Sequence, residues 1–246
     1  MSTVVQGILL AVIGVLLFGL IIFIHEFGHF FTAKLSHVRV NEFSIGMGPK
    51  LFSFTRGETQ YSLRLLPIGG YCAMEGEDED SDDERALNRQ AWWKKLIIFV
   101  AGAFMNFLTG LLIIVCLYAG AQGFYTSEII ELNPDFPQQG EEGLMPGDVI
   151  YAINGERVYL KSDVSLIMGL SDTGKIDMTV LRDGKKLERT LTKQVYTDEN
   201  GKEYEAYGFT YGGIVKATPL LRLQYSWYQT MDYVRCLLYT SPSPRD

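Results

Sequence analysis

The sequence predicts a multi-pass α-helical membrane protein with a membrane-associated β-hairpin and an inserted small β-rich domain. Three observations carry that expectation. Two apolar runs, 7–33 and 96–121, each exceed the roughly 20 residues that cross a hydrocarbon core. Between them, residues 51–65 alternate with a two-residue period around a turn. After them, residues 125–195 read as short strands divided by strong turn signals.

Composition agrees. Of 246 residues, 47% are hydrophobic and 21% charged, and the mean hydropathy is +0.07. That balance fits membrane segments joined to soluble parts. A net charge of -7 argues against a nucleic-acid partner. Cys72, Cys116 and Cys236 show no metal spacing, and no disulfide is expected among them.

Segment 1–35 is read as the first transmembrane helix. It has no ionisable side chain from Met1 to Ile24, no basic leader and no clear cleavage site, so it is expected to be retained. It ends in His25-Glu26-Phe27-Gly28-His29. On a helix, positions i and i+4 share a face, so His25 and His29 can offer two imidazoles to one metal ion. Glu26 is one step round, placed to act on a water at that metal. Ionisable groups in an apolar helix are costly to keep, which favours a functional role over buried structural histidines. His37, just beyond the span, is read as an interfacial polar residue rather than a ligand.

Segment 36–95 is read as a cytoplasmic loop with the hairpin and an acidic block. Leu51 to Thr55 alternate, Arg56-Gly57-Glu58 reads as a turn, and Tyr61, Leu63 and Leu65 alternate with Ser62 and Arg64. Pro67-Ile68-Gly69-Gly70-Tyr71 is a tight stretch that exposes its backbone. The hairpin is either an ordinary cytoplasmic one or one that dips into protein-lined space beside the metal. In the second case its edge could pair with an extended substrate. Eight of the ten residues from Glu75 to Glu84 are acidic, the composition of a solvated, flexible loop.

Segment 96–121 is the second transmembrane helix. Gly102, Asn106 and Gly110 fall at i, i+4 and i+8 on one face. That face either packs against the first span or turns Asn106 towards the site to hold substrate backbone. Lys34, Arg39, Lys94 and Lys95 flank segment 34–95, while no Lys or Arg follows the second span before Arg157. The positive-inside rule then puts 34–95 in the cytoplasm and the remainder outside.

Segment 122–200 holds the small β-rich domain, which shows no catalytic constellation and is read as a binding or gating module. Asn154-Gly155 and Asp183-Gly184 are turn signals, Ile176, Met178 and Val180 alternate, and Ser162 is a candidate cap for a helix to Leu170. Segment 201–235 reads as the amphipathic approach to a third span that is missing. Segment 236–246 breaks that span, resembles a translated library adapter, and is expected to be non-native.

Several stretches together resemble the site-2 protease family of intramembrane zinc metalloproteases that perform regulated intramembrane proteolysis. The likeness is to the bacterial sigma-factor-regulating type with a PDZ domain. They are HEFGHFFTAK at 25–34, FSIGMGPKLFSF at 43–54, YSLRLLPIGGYCAMEGE at 61–77 and AGAFMNFLTG at 101–110. GLMPGDVIYAING at 143–155 is PDZ-like. The resemblance reaches to about residue 235. It implies that His25 and His29 bind Zn2+, that Glu26 is catalytic, and that the 51–74 hairpin is membrane-reentrant. Asn106, with Gly69 and Gly70, is implied in positioning substrate.

The resemblance also implies an inner-membrane, multi-pass enzyme with its active site near the cytoplasmic face and its PDZ-like domain extracytoplasmic. Its implied partners are membrane lipid, a single-span membrane substrate such as an anti-sigma factor, and an upstream site-1 protease. The family's third zinc ligand, an Asp in an Asn-Pro…Leu-Asp-Gly stretch on a later span, is not found here. Asp148 and Asp232 lie too early or on the wrong side to replace it. This chain is therefore expected to be inactive or weak. The alternative is a truncated, non-catalytic membrane-bound module that binds substrate through its PDZ-like domain. A metal transporter is disfavoured, because only one span offers ligands.

Overall fold

The computed structural model describes residues 3–171, 174–197 and 201–240. They divide into two compact units, 1–110 and 111–246.

In the first unit, α1 (Thr3–Leu35) is a single 33-residue helix. Its most apolar stretch has no residue buried within the protein. Val4, Ile8, Leu9, Leu10, Leu16 and Leu17 are all bare. At about 1.5–3 kcal/mol for each large apolar side chain left in water, such a surface calls for an apolar surrounding. The helix ends in a Schellman motif. Val38 N–H donates to Ala33 O at 2.9 Å and His37 N–H to Lys34 O at 3.2 Å, with His37 in the left-handed region at φ 63°. The role of His37 is therefore a backbone one, closing the helix.

Two long strands follow, β1 (Val40–Arg56) and β2 (Thr59–Met74). The hairpin is longer than its alternating core suggests, and it folds back on itself. Residues 42–45 of β1 pair with 60–63 of β2 on one side and with 70–73 on the other. Two strands thus make a sheet four segments wide. The bends fall at Gly46 (φ 82°) and Gly69 (φ 87°), a backbone region that side chains disfavour. A Cβ on Gly46 would lie 2.4 Å from Leu66 O. The outer segment, 70–74, is the sheet edge nearest α1.

The acidic block is a loop, solvent-exposed from Glu77 to Asp80, whose ends are tied down. Arg39 pairs with Asp83 at 3.1 Å, and Arg89 pairs with Asp82. Asn41 donates to Glu75 at 2.7 Å. Glu75 N–H also donates to Arg39 O, and Leu87 N–H to Glu75 O. The cations and the Asn41 amide beside three of the carboxylates offset part of the like-charge repulsion that composition suggests.

Helix α2 (Trp92–Tyr118) starts four residues before the apolar run. Lys94 Nζ donates to Ser36 O at 3.2 Å, at the C-terminal end of α1, where a cation complements the helix dipole. α1 and α2 are the two described helices long and apolar enough to cross a membrane.

The second unit opens with β3 (Gly123–Tyr125) and β4 (Ile129–Leu132). Its main sheet has β5 (Val149–Ile153), β6 (Glu156–Arg157), β7 (Lys175–Arg182) and β8 (Lys185–Thr192) in the order β6-β5-β7-β8. The Asn154-Gly155 and Asp183-Gly184 turns join β5 to β6 and β7 to β8, as their sequence suggests. Ile176, Met178 and Val180 point into a core with Leu144, Ile150, Ile153, Val164 and Leu191. Helix α3 (Lys161–Gly169) begins one residue before Ser162. Asp163, not Ser162, closes its start, accepting from Tyr159 N–H at 2.7 Å and Leu160 N–H at 3.0 Å.

β9 (Gln194–Thr197) pairs with β10 (Glu203–Ala206), β11 (Phe209–Tyr211) with β4, and β12 (Ile214–Lys216) with β3. The β-rich unit therefore extends to residue 216, past the boundary at 200. Helix α4 (Pro219–Thr240) takes up the rest of 201–235 and the start of 236–246; residues 241–246 lie outside the described residues. Arg222 caps the turn after α2 through Ala121 O at 2.9 Å, and Tyr118 donates to Gln229 at 3.1 Å.

Candidate metal centre

The site lies within the first unit. α1 and α2 touch closely because Gly28 has no side chain; a Cβ there would sit 2.5 Å from Ala101 O. This contact brings the His25–His29 face of α1 against α2. The two imidazole centroids are 4.8 Å apart, their planes crossing at 76°. A Cβ built on Gly102 would lie 2.5 Å from His29 Nε2 and 2.6 Å from His25 Nε2. The two Nε2 atoms thus converge on one point above a residue that offers no side chain to fill it.

His29 Nδ1 lies 2.7 Å from Ile98 O. A carbonyl can only accept, so the Nδ1 carries the proton and Nε2 presents its lone pair. This is the outer contact that a metal-bound imidazole ordinarily makes. Asn106, one turn beyond Gly102, places its amide nitrogen 3.4 Å from His25 Nδ1. Two imidazoles converging on a side-chain-free cradle suit zinc, whose catalytic sites use nitrogen and oxygen donors. Among the described residues, no cluster of three or more His, Cys, Asp and Glu side chains surrounds that point. Asp148 is instead buried in the second unit and held by Arg182 at 2.7 and 2.8 Å. Asp232 pairs with Arg235.

Glu26 faces the sheet edge. Gly70 sits against it, since a Cβ there would lie 3.6 Å from Glu26 Cγ and 2.7 Å from Ser44 O. The backbone N–H of Cys72 also faces the Glu26 carboxylate. Gly69 is turned away, towards the Met47 side chain. Gly110 has nothing within 4 Å of its Cβ position. The structure therefore gathers His25, Glu26, His29, Gly70 and Asn106, and leaves Gly69 one step outside. Sequence reasoning missed Gly102 as the cradle floor and the Ile98 carbonyl as an acceptor. Gly102 was visible only as a small residue one turn before Asn106.

The model of peptidase family M50 matches residues 13–237. The chain belongs to that family. Among M50 relatives, it is 35% identical over 223 residues to a Clostridium perfringens protein named "Putative zinc metalloprotease", covering 91% of this chain and 65% of that one. A Clostridium acetobutylicum protein of the same printed description is 39% identical over 74% of this chain and 53% of its own length. The Bacillus subtilis "Regulator of sigma-W protease RasP" is 25% identical over 91% of this chain and 72% of its own length. The chain thus spans between half and two thirds of the first two relatives' length. The M50 match includes α1, the folded-back hairpin and α2, the elements that build the converging histidine pair.

Proposed function

We propose that this chain carries the catalytic half-site of a membrane-embedded zinc endopeptidase that cleaves single-span membrane proteins. The observation that supports it most directly is the convergence of the His25 and His29 Nε2 atoms above Gly102, with Glu26 against the sheet edge at Gly70. The family and the names of its relatives support the same reading.

His25 and His29 would hold the ion. When bound, zinc lowers the pKa of a water and polarises the scissile carbonyl. Glu26 takes the proton of the attacking water and delivers it to the leaving amine nitrogen. A transmembrane helix hides its peptide bonds in its own hydrogen bonds, so the substrate has to be extended before attack. The edge at 70–74, with Gly70 admitting close backbone approach to Glu26, can pair with such a strand. A catalytic zinc takes three protein donors, so we infer that a third comes from a later segment and that this chain cleaves weakly by itself.

The basic residues at the touching ends of α1 and α2 favour a cytoplasmic position for that end. The β-rich unit then lies outside as a PDZ-like module that screens substrates. The printed name of the RasP relative, a regulator of sigma-W, supports a place in sigma-factor control; our reading of the substrate is an anti-sigma factor, prepared by a site-1 protease. The test is zinc content together with cleavage of a model single-span substrate, with Glu26→Gln as control. Stoichiometric zinc and Glu26-dependent cleavage, even slow, support the enzyme. Substrate binding unaffected by Glu26→Gln, with no cleavage once the later segment is supplied, would show a non-catalytic binding module.

A further inference from the structure

Among the described residues, Asn106 Oδ1 is a buried side-chain atom beside the site with no hydrogen-bond partner. The Asn106 Nδ2 meanwhile lies 3.4 Å from His25 Nδ1. With the nitrogen facing the ring, the amide donates, His25 Nδ1 accepts, and the His25 proton has to sit on Nε2. That is the atom which converges with the bare Nε2 of His29. A protonated Nε2 cannot ligate.

A half-turn about χ2 exchanges the amide oxygen and nitrogen within almost the same volume. Oδ1 then accepts the His25 Nδ1–H, and His25 adopts the tautomer that Ile98 O imposes on His29. We propose that Asn106 is a positioning residue for His25, fixing its proton on Nδ1 so that both imidazoles present bare Nε2 atoms to one point. The inference rests on the metal reading above and assigns Asn106 to a ligand rather than to substrate backbone. With the amide so turned, the two acceptors, Ile98 O and Asn106 Oδ1, would lie on one helix on either side of the Gly102 cradle. α2 thereby sets the protonation pattern of both ligands on α1.

The chain has three histidines, so imidazole 15N spectra of the full chain in detergent micelles can be assigned with His→Gln variants. At about pH 8, above the ordinary histidine range, and without metal, His25 and His29 are both expected as Nδ1–H tautomers. Asn106→Leu should move His25, and not His29, towards Nε2–H, and weaken zinc binding about 10–100-fold in a chelator competition. Asn106→Asp keeps an acceptor and should keep both tautomers, which separates the role from simple packing. An Nε2–H His25 in the unaltered protein, or an Asn106→Leu variant with unchanged tautomer and affinity, would overturn the assignment. If His25→Ala and His29→Ala bind zinc as the unaltered chain does, the metal reading fails while the tautomer result still reports on Asn106.

Discussion

The Nδ1–H of His29 donates to the carbonyl oxygen of Ile98 at 2.7 Å, so a main-chain atom of one apolar helix decides which nitrogen of the other is bare. No side-chain substitution at 98 removes that acceptor. The contact exists because Gly28 and Gly102 let the helices approach until an imidazole reaches a carbonyl that already serves its own helix. The convergence of the two imidazoles therefore depends as much on missing side chains as on the histidines.

Gly102→Ala is expected to weaken zinc binding by at least about 10-fold while preserving helical content. The added methyl would lie 2.5–2.6 Å from both Nε2 atoms and occupy the place where they converge. Metal stoichiometry beside a far-UV circular dichroism spectrum checks this. Unchanged affinity would mean that the pair does not close on one ion.

Glu42 gives the hairpin an acid limit. Burial pushes its carboxyl up, but hydrogen bonds from Ser62, Tyr71, Arg64 and Lys50 together outweigh burial and hold it at about 2, against an ordinary 4.5. A depressed value means the fold favours the charged form. That stabilisation is complete above about pH 4.5 and is lost as pH falls towards about 2. Melting temperatures across this window should fall, and Glu42→Gln should flatten the slope. An equal slope in the variant would remove Glu42 from the account.

His37→Gly should stabilise the chain by about 1 kcal/mol. His37 sits at φ 63° in the turn that closes α1, where a residue with a Cβ pays roughly 1–2 kcal/mol that glycine avoids. The gain is partly offset by the greater freedom of glycine in the unfolded chain. A denaturant midpoint that moves down instead would show that the imidazole makes a compensating contact.

Arg182→Met should cost the second unit about 3–5 kcal/mol. Asp148 is 1% exposed and would be left as a buried charge without its partner. Glu141 O and Gly143 O would lose the donors that Arg182 gives them at 2.7 and 2.8 Å. Proteolytic nicking near 141–147 is the readout, and a variant as resistant as the original would rule the clamp out.

The pairing of His25 with His29 was legible in the sequence because i and i+4 share a helical face whatever surrounds them. Asn154-Gly155 and Asp183-Gly184 were equally local signals, and Ile176, Met178 and Val180 carried their own period. The two-sided pairing of residues 42–45 was not legible, since it depends on where two strands bend and which partners each half then meets. β10, β11 and β12 were missed for a related reason. Each is three or four residues long, too short for a period, and β11 and β12 pair with strands some eighty or ninety positions earlier. The exposure of the acidic block was legible in its composition, but the arginines that reach Asp82 and Asp83 were not.

The 69-position separation of His29 and Ile98 also sets a schedule. A ribosome adding about 5–20 residues per second reaches Ile98 roughly 3–14 s after His29. During that interval α1 is already made, and the hairpin from 40 to 74 can form from contacts within itself. The imidazoles have neither cradle nor acceptor until the second helix arrives. In the growing chain the two histidines come first, and their acceptor and cradle come later, with α2.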